Sequence, residues 1–318
     1  MSLFKGPMRQ HIPGHKELSD HVDIMEVKAG SKVFIPLICG PSVNLEILVK
    51  EGDHVSIGTK VAQCNERNVV PIFASVSGTV AGTQKLMHSS LKPVEHLVIE
   101  NDGLYERVRS FEPLDYKSAD RTALIDFMMN AGIIGLGGAG FPAYIKYKFA
   151  KDVKKLIINA VECEPFITAD YKMIQAHKEE FVTGVAAMKK MAMAPEAVIA
   201  IKKTHPDLIQ FVEEAVKGME GFSVAAVPDV YPMGWERVLV REIMHAEYEK
   251  LPGEVGAIVN NATTAIAFGD ALLTGTPIVS KTLTVSGNAI KKPVNVQVPV
   301  GVPVSEIVAA CGGYTVRT

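Results

Sequence analysis

At 318 residues the chain is long enough for two or three domains, each with its own buried core. It is 47% apolar and 21% charged with a net charge of −2, and its lysine pairs (Lys154-Lys155, Lys189-Lys190, Lys202-Lys203, Lys291-Lys292) are scattered, so no basic stripe marks it for a nucleic-acid backbone or an anionic membrane. The four cysteines, Cys39, Cys64, Cys163 and Cys311, form no C-x-x-C pair to seed a zinc or iron–sulfur site, and "MSLFKGPMRQ" lacks the apolar core of a secretion signal, so a cytoplasmic chain is expected.

Near the N-terminus, His11 and His15 in "HIPGHKE" have the i, i+4 spacing of a helical metal pair, but Pro13-Gly14 opposes a helix and no metal site is expected there. The runs "KVFIPLI", "NLEILV", "PIFASV" and "HLVIEN" then read as short strands separated by Glu51-Gly52-Asp53, Ile57-Gly58 and Ser77-Gly78. The segment from Val49 to Gly82 resembles the barrel-sandwich hybrid of biotinyl and lipoyl carrier domains. Such domains carry their prosthetic group on a lysine at a hairpin tip; the corresponding tip here, Asn65 to Asn68, has none, so a scaffold is expected.

From Ala119 the pattern becomes helical, and from Lys155 short apolar strands alternate with helices: strands at 155–161, 197–202, 222–228 and 256–262, helices at 170–192, 206–217, 235–245 and 263–274. This alternation predicts a mostly parallel sheet with helices on its faces, whose ligands bind at the carboxyl ends of strands. The polar strand ends Asn159–Glu164 and Asn260–Asn261 are the candidates. No charged residue occurs from Phe127 to Ile145, about the length of a membrane span, but five glycines and Pro142 in that stretch exclude a lipid-exposed helix. The last forty residues read as a hairpin, "KTLTVSGNAI" with "PVNVQVPVG", then a helix, "PVSEIVAACGG"; such a unit needs further strands to cover the helix.

Within the charge-free stretch lies "GIIGLGGAGFP", with G-x-G-x-x-G at Gly135, Gly137 and Gly140. A dinucleotide fingerprint follows a strand, opens a helix and has an acidic residue about 20 positions on. Glu162 and Glu164 meet the last condition, but a helix precedes the loop. What remains is an anion cradle: residues without Cβ let backbone N–H groups approach a phosphate, a helix starting near Pro142 aims its positive end there, and Lys146 adds charge. A flexible connector between domains is the alternative reading of the glycines alone.

Together with "INAVECEP", "YPMGWE", "VNNATTAIA" and "VSGNAIKKPVNVQVPVG", the motif "GLGGAGFPAYIK" resembles, in order, the C subunit of the Rnf electron-transport complex and, more distantly, the NADH-oxidising flavoprotein subunit of respiratory complex I. The resemblance implies an α/β protein of three parts: a barrel-sandwich hybrid over 1–116, an FMN- and NADH-binding parallel α/β domain over 117–277, and an incomplete soluble-ligand-binding β-grasp (SLBB) domain over 278–318. It implies FMN on Gly135, Gly137, Gly138, Gly140 and Lys146, with Asn159, Glu162 and Cys163 near its ribityl chain and ring and Asn260, Asn261 and Thr264 closing the phosphate end. NADH would stack between Phe141 and Phe149, with Glu164 and Glu236 accepting hydrogen bonds. No side chain acts as a catalytic acid or base; positioning of the two rings suffices for hydride transfer.

The sequence departs from these relatives in places. The complex I subunit has arginine and aspartate where Leu136 and Val161 stand, and a small residue or glutamate is usual at Trp235. The Rnf protein extends into a region of cysteine clusters for [4Fe-4S] centres, whose ligands this chain lacks. The partners implied are other subunits of an electron-transfer complex, membrane-bound ones included, and an iron–sulfur acceptor or ferredoxin, with the chain peripheral at the cytoplasmic face of the inner membrane. Two further readings are a similar protein serving a soluble reductase such as proline reductase, and a docking scaffold without flavin.

Overall fold

The computed structural model describes residues 12–38, 45–65, 70–88 and 90–315; His11, Cys39 and positions 66–68 of the hairpin tip lie outside the described residues. After a short strand β1 (Met25–Glu26), the N-terminal third folds into β2 (Lys32–Pro36), β3 (Glu46–Ile47), β4 (His54–Val55), β5 (Lys60–Cys64), β6 (Val70–Phe73), β7 (Gly78–Met87) and β8 (Pro93–Asn101). These form two antiparallel sheets, ordered β2-β8-β7-β4 and β3-β5-β6. The cause is alternation: along β2, Val33 and Ile35 point inward while their neighbours remain more exposed. With Val61, Ala74, Val80 and Ile99 they fill the space between the sheets.

The central part opens with α1 (Arg121–Asn130), whose first turn is capped by Asp120 accepting from the Ala123 amide at 2.8 Å. There follow α2 (Tyr144–Lys148), β9 (Lys155–Ala160), α3 (Ala169–Ala176), α4 (Lys178–Ala192), β10 (Glu196–Lys202), α5 (Pro206–Ala215), β11 (Phe222–Val227), α6 (Glu236–Met244), β12 (Ala257–Asn261) and α7 (Ala262–Thr274). The four strands are parallel in the order β11-β10-β9-β12. β9, β10 and β12 are almost continuously buried because helices cover both faces, whereas in the edge strand β11 only Val227 is buried; Leu124, Phe181 and Phe268 lie in the core on one side, Met233, Leu239 and Val240 on the other. The chain leaves β9 toward β10 on one flank and returns to place β12 on the other. This makes the carboxyl end between β9 and β12 the topological switch point, where such sheets bind ligands.

Two helices differ from the sequence reading. The single helix expected over 170–192 is broken at His177 (φ −125°, ψ 55°) into α3 and α4, which both pack on α7. The helix expected near Pro142 is only five residues long and starts at Tyr144. Of the stretch "IIGL", only Ile134 pairs, through an isolated bridge to Pro142.

Helices α4 and α7 meet backbone to backbone. A Cβ on Gly184 would lie 1.9 Å from the Ala265 carbonyl oxygen, and one on Gly269 1.8 Å from that of Glu180, so only glycine admits this approach. It sets the position of the α7 N-terminus, on which the candidate site is built.

At the C-terminus, β13 (Ser280–Val285) and β14 (Val294–Pro299) form the expected hairpin, followed by α8 (Val304–Ala310). A third strand comes from the other end of the chain: β1 pairs in parallel with β14, Met25 opposite Val296. Val27, Val296 and Ile307 share its small core. Among the described residues no helix is long and apolar enough to cross a membrane; the stretch 127–145 comprises the end of α1, the glycine loop and the start of α2.

Candidate functional site at the carboxyl edge of the parallel sheet

The glycine loop is a closed hairpin turn. The Ala143 amide donates to Ile133 O (3.0 Å) and the Gly135 amide to Phe141 O (2.8 Å), so the ends are pinned and the residues between protrude. It rests on the N-terminus of α7 and not on that of α2: the Leu136 amide donates to Thr264 Oγ1 (2.9 Å), and a Cβ on Gly137 would stand 3.0 Å from the Asn261 Cβ. Asn261 caps α7, accepting from the Thr263 (2.9 Å) and Thr264 (3.3 Å) amides. Gly138 (φ 153°) and Gly140 (φ 61°) adopt backbone conformations that side chains disfavour, with open space where a Cβ would be. Among the described residues, the amides of Gly137, Gly138, Ala139 and Gly140 donate to no protein acceptor. Unpaired amides on a glycine turn beside a helix N-terminus have the chemistry of a phosphate cradle.

Lys146, the third residue of α2, points to the middle of β12: its ammonium donates to Val259 O (2.7 Å) and lies 3.6 Å from a Glu236 carboxylate oxygen. Burial lowers its pKa, and Glu236 opposes that shift. Glu236 in turn accepts from the Tyr248 hydroxyl at 3.3 Å. Asn260 is buried and donates to the hydroxyl of Tyr147, which is held neutral by burial. Asn159 donates to Gly234 O (2.7 Å) and accepts from the Val161 amide (3.1 Å), joining the end of β9 to the turn before α6. A Cβ on Gly234 would stand 3.0 Å from the Cys163 sulfur, so this turn packs directly on the thiol. Burial first, and Glu164 second, raise the Cys163 pKa, which makes it a poor nucleophile.

Glu162 has a second structural role that its sequence neighbourhood conceals. Its Oε1 accepts from the Asp170 amide (2.8 Å), and the Tyr171 amide also donates to the carboxyl, which therefore caps α3 from six residues upstream of the helix's own N-cap position, Thr168. Burial, reinforced by the nearby Asp170 charge, pushes its pKa up to about 8, against the pull of Lys16. Asp170 itself accepts from Asn261 and Thr263. Glu164 is exposed, as are Phe141 (39%) and Phe149 (73%), which flank α2.

Two lysines completing this region carried no local signal. Lys281, from β13, reaches across to donate to the Leu136 carbonyl of the glycine loop at 2.8 Å. Lys16, from the N-terminal segment, enters the loop after β9. Both depend on contacts between segments far apart in sequence. The structure thus pairs the glycine loop with Asn261 and Thr264, Lys146 with Glu236, and Asn159 with the turn over Cys163; Glu162 turns toward α3, and Phe149 stands at the far end of α2.

Comparison with known proteins matches three family descriptions: the RnfC barrel sandwich hybrid domain over residues 4–104, the Nuo51 FMN-binding domain over 128–269, and the SLBB domain over 282–318. The chain is 32% identical to the C subunit of the Na(+)-translocating ferredoxin:NAD(+) oxidoreductase complex of Acetobacterium woodii, covering 98% of this chain and 71% of that protein. It is equally 32% identical to the C subunit of the proton-translocating ferredoxin:NAD(+) oxidoreductase complex of Clostridium ljungdahlii, covering 99% and 69%. The chain belongs to the RnfC family.

Among solved structures, an NAD+-reducing [NiFe]-hydrogenase in its air-oxidised state matches with a TM-score of 0.54 and 25% identity over 60% of this chain and 39% of that one. RnfC membership accounts for the order of parts: barrel-sandwich hybrid, FMN-binding-type α/β domain and SLBB segment. Among the described residues no group of three or more His, Cys, Asp or Glu is placed to hold a metal ion.

Proposed function

We propose that this chain is the flavin- and dinucleotide-binding part of an Rnf-type electron-transfer complex and takes electrons from NADH. The observation that carries the reading is the set of amides at Gly137, Gly138, Ala139 and Gly140 that have no acceptor among the described residues, seated against the N-terminus of α7 at the switch point of a parallel sheet. These residues, with Gly135 closing the turn and Asn261 and Thr264 beneath it, fit the phosphate of FMN. When bound, FMN supplies a ring that accepts a hydride and releases electrons singly.

The protein's own contribution is binding and orientation. Lys146 would share its charge between Glu236 and the phosphate. Asn159, Glu162 and Cys163 would line the ribityl and ring end, and Asn260 would support the phosphate end from beneath; Cys163, held as the thiol, adds no charge there. Phe141 and Phe149 offer exposed faces to the dinucleotide, with Glu164 and Glu236 as acceptors for its hydroxyl or amide groups. Electrons would leave to an iron–sulfur centre or ferredoxin of the complex, which would hold this chain peripherally at a membrane through its other members.

One observation favours a second reading, a scaffold without flavin: Lys146 already has two protein partners, Val259 O and Glu236. Purified protein incubated with FMN, desalted and then treated with NADH without oxygen separates the two. A yellow protein fraction that NADH bleaches is expected; a colourless fraction would leave only the scaffold.

A further inference from the structure

Residues 14–19 cross the carboxyl edge of the sheet as a strap. Lys16 is only 9% exposed, and its ammonium donates to Glu162 O (2.7 Å), Glu164 O (3.1 Å) and Ile167 O. All three of its protons thus have carbonyl partners on one loop. On either side, the Phe166 amide donates to Gly14 O (2.6 Å) and the His15 ring stacks on Phe166 with centroids 4.9 Å apart. Ser19 and Thr168 share a buried hydroxyl contact (2.8 Å), and Asn295 of β14 donates to Thr168 Oγ1 (2.8 Å) and Ser19 O (3.4 Å).

The loop so gripped has an uncommon backbone. Glu162 (φ 45°) and Phe166 (φ 70°) are both left-handed without being glycine, a conformation that persists only where its surroundings over-determine it. Lys16 and Gly14 bind the carbonyl of the first and the amide of the second. An apolar side chain in place of Lys16 would leave three loop carbonyls without their donor and remove the main cation near Glu162.

We infer that the N-terminal strap is a working part of the cofactor site, with Lys16 as the positioning residue that holds the 162–167 loop in its ligand-receiving shape. The inference rests on the flavin reading above, since Glu162, Cys163 and Glu164 are the ring-end and dinucleotide residues of that reading. The strap touches the loop after β9 and not the glycine loop, so its effect falls on the ring end of the ligand and spares the phosphate cradle.

Lys16→Met keeps the aliphatic stem and removes the ammonium. Three readouts apply: the dissociation constants of FMN and of riboflavin by fluorescence quenching, amide hydrogen exchange over residues 162–168 without ligand, and exchange over 196–202 as a fold control. The expected result is a loss of about tenfold or more in affinity for both flavins, with their ratio unchanged, together with faster exchange in the loop and none in the control strand. Lys16→Gln, which keeps two N–H donors, should fall between, and it serves in place of Lys16→Met if that variant does not fold. Flavin affinity and loop protection both equal to wild type would overturn the inference while leaving the flavin reading intact. Wild-type protein that binds neither flavin would remove the reading itself, and with it the strap's role in the site.

Discussion

Lys146 and Glu162 are the two charged groups on which the site turns most directly. The Lys146 ammonium is half-buried between Val259 O and Glu236, with its pKa lowered by burial. If it also contacts the ligand phosphate, Lys146→Ala removes one charge-assisted contact. A loss of about 1.5–3 kcal/mol in FMN binding is then expected, roughly 10- to 100-fold in dissociation constant. An unchanged constant would mean that Val259 and Glu236 are its only partners.

Glu162 makes a prediction about stability. Its pKa is raised from 4.5 to about 8, chiefly by burial and then by Asp170. A folded-state pKa raised above the unfolded one gives a contribution fully present below about 4.5 and lost as pH rises through about 8. Glu162→Gln keeps an acceptor for the α3 amides and cannot ionise. Denaturant unfolding measured across that window should show stability falling less with rising pH in the variant than in wild type; parallel curves would place the proton elsewhere.

At the scale of elements, the decisive contact is the glycine-to-glycine crossing of α4 and α7. Gly269→Ala would place a methyl group 1.8 Å from the Glu180 carbonyl oxygen, so the helices must separate. An overpacking cost of about 1–3 kcal/mol is expected, read as a lower urea midpoint. Because α7 carries Asn261 and Thr264 under the glycine loop, FMN affinity should fall as well. A variant with the wild-type midpoint would show that the crossing has slack.

The four parallel strands were legible in the sequence as short apolar runs, nearly unbroken in β9, β10 and β12, which are buried on both faces, and the switch-point rule then singled out Asn159–Glu164 and Asn260–Asn261. The break at His177 was not, since α3 and α4 keep their apolar faces on the same neighbour and the helical period runs through. Glu162 as the cap of α3 was also hidden: capping patterns are recognised within three residues, and this carboxyl reaches Asp170 across eight.

At the scale of the whole molecule, the N-terminal segment binds regions that the sequence alone leaves unconnected. Its β1 completes the C-terminal hairpin sheet, Lys16 grips the loop after β9, and Lys281 of the C-terminal hairpin holds the glycine loop. No local periodicity reports such contacts, so Lys16 and Lys281 were absent from the residues the motifs suggested. The central claim nevertheless concerns one small part of this assembly, the amides of Gly137 to Gly140 as the seat of a phosphate. The affinities of FMN and riboflavin test it most directly, because the two differ only by that group. With two charge-assisted bonds at about 1.5 kcal/mol each, FMN should bind at least about 100-fold more tightly; equal affinities would contradict the cradle.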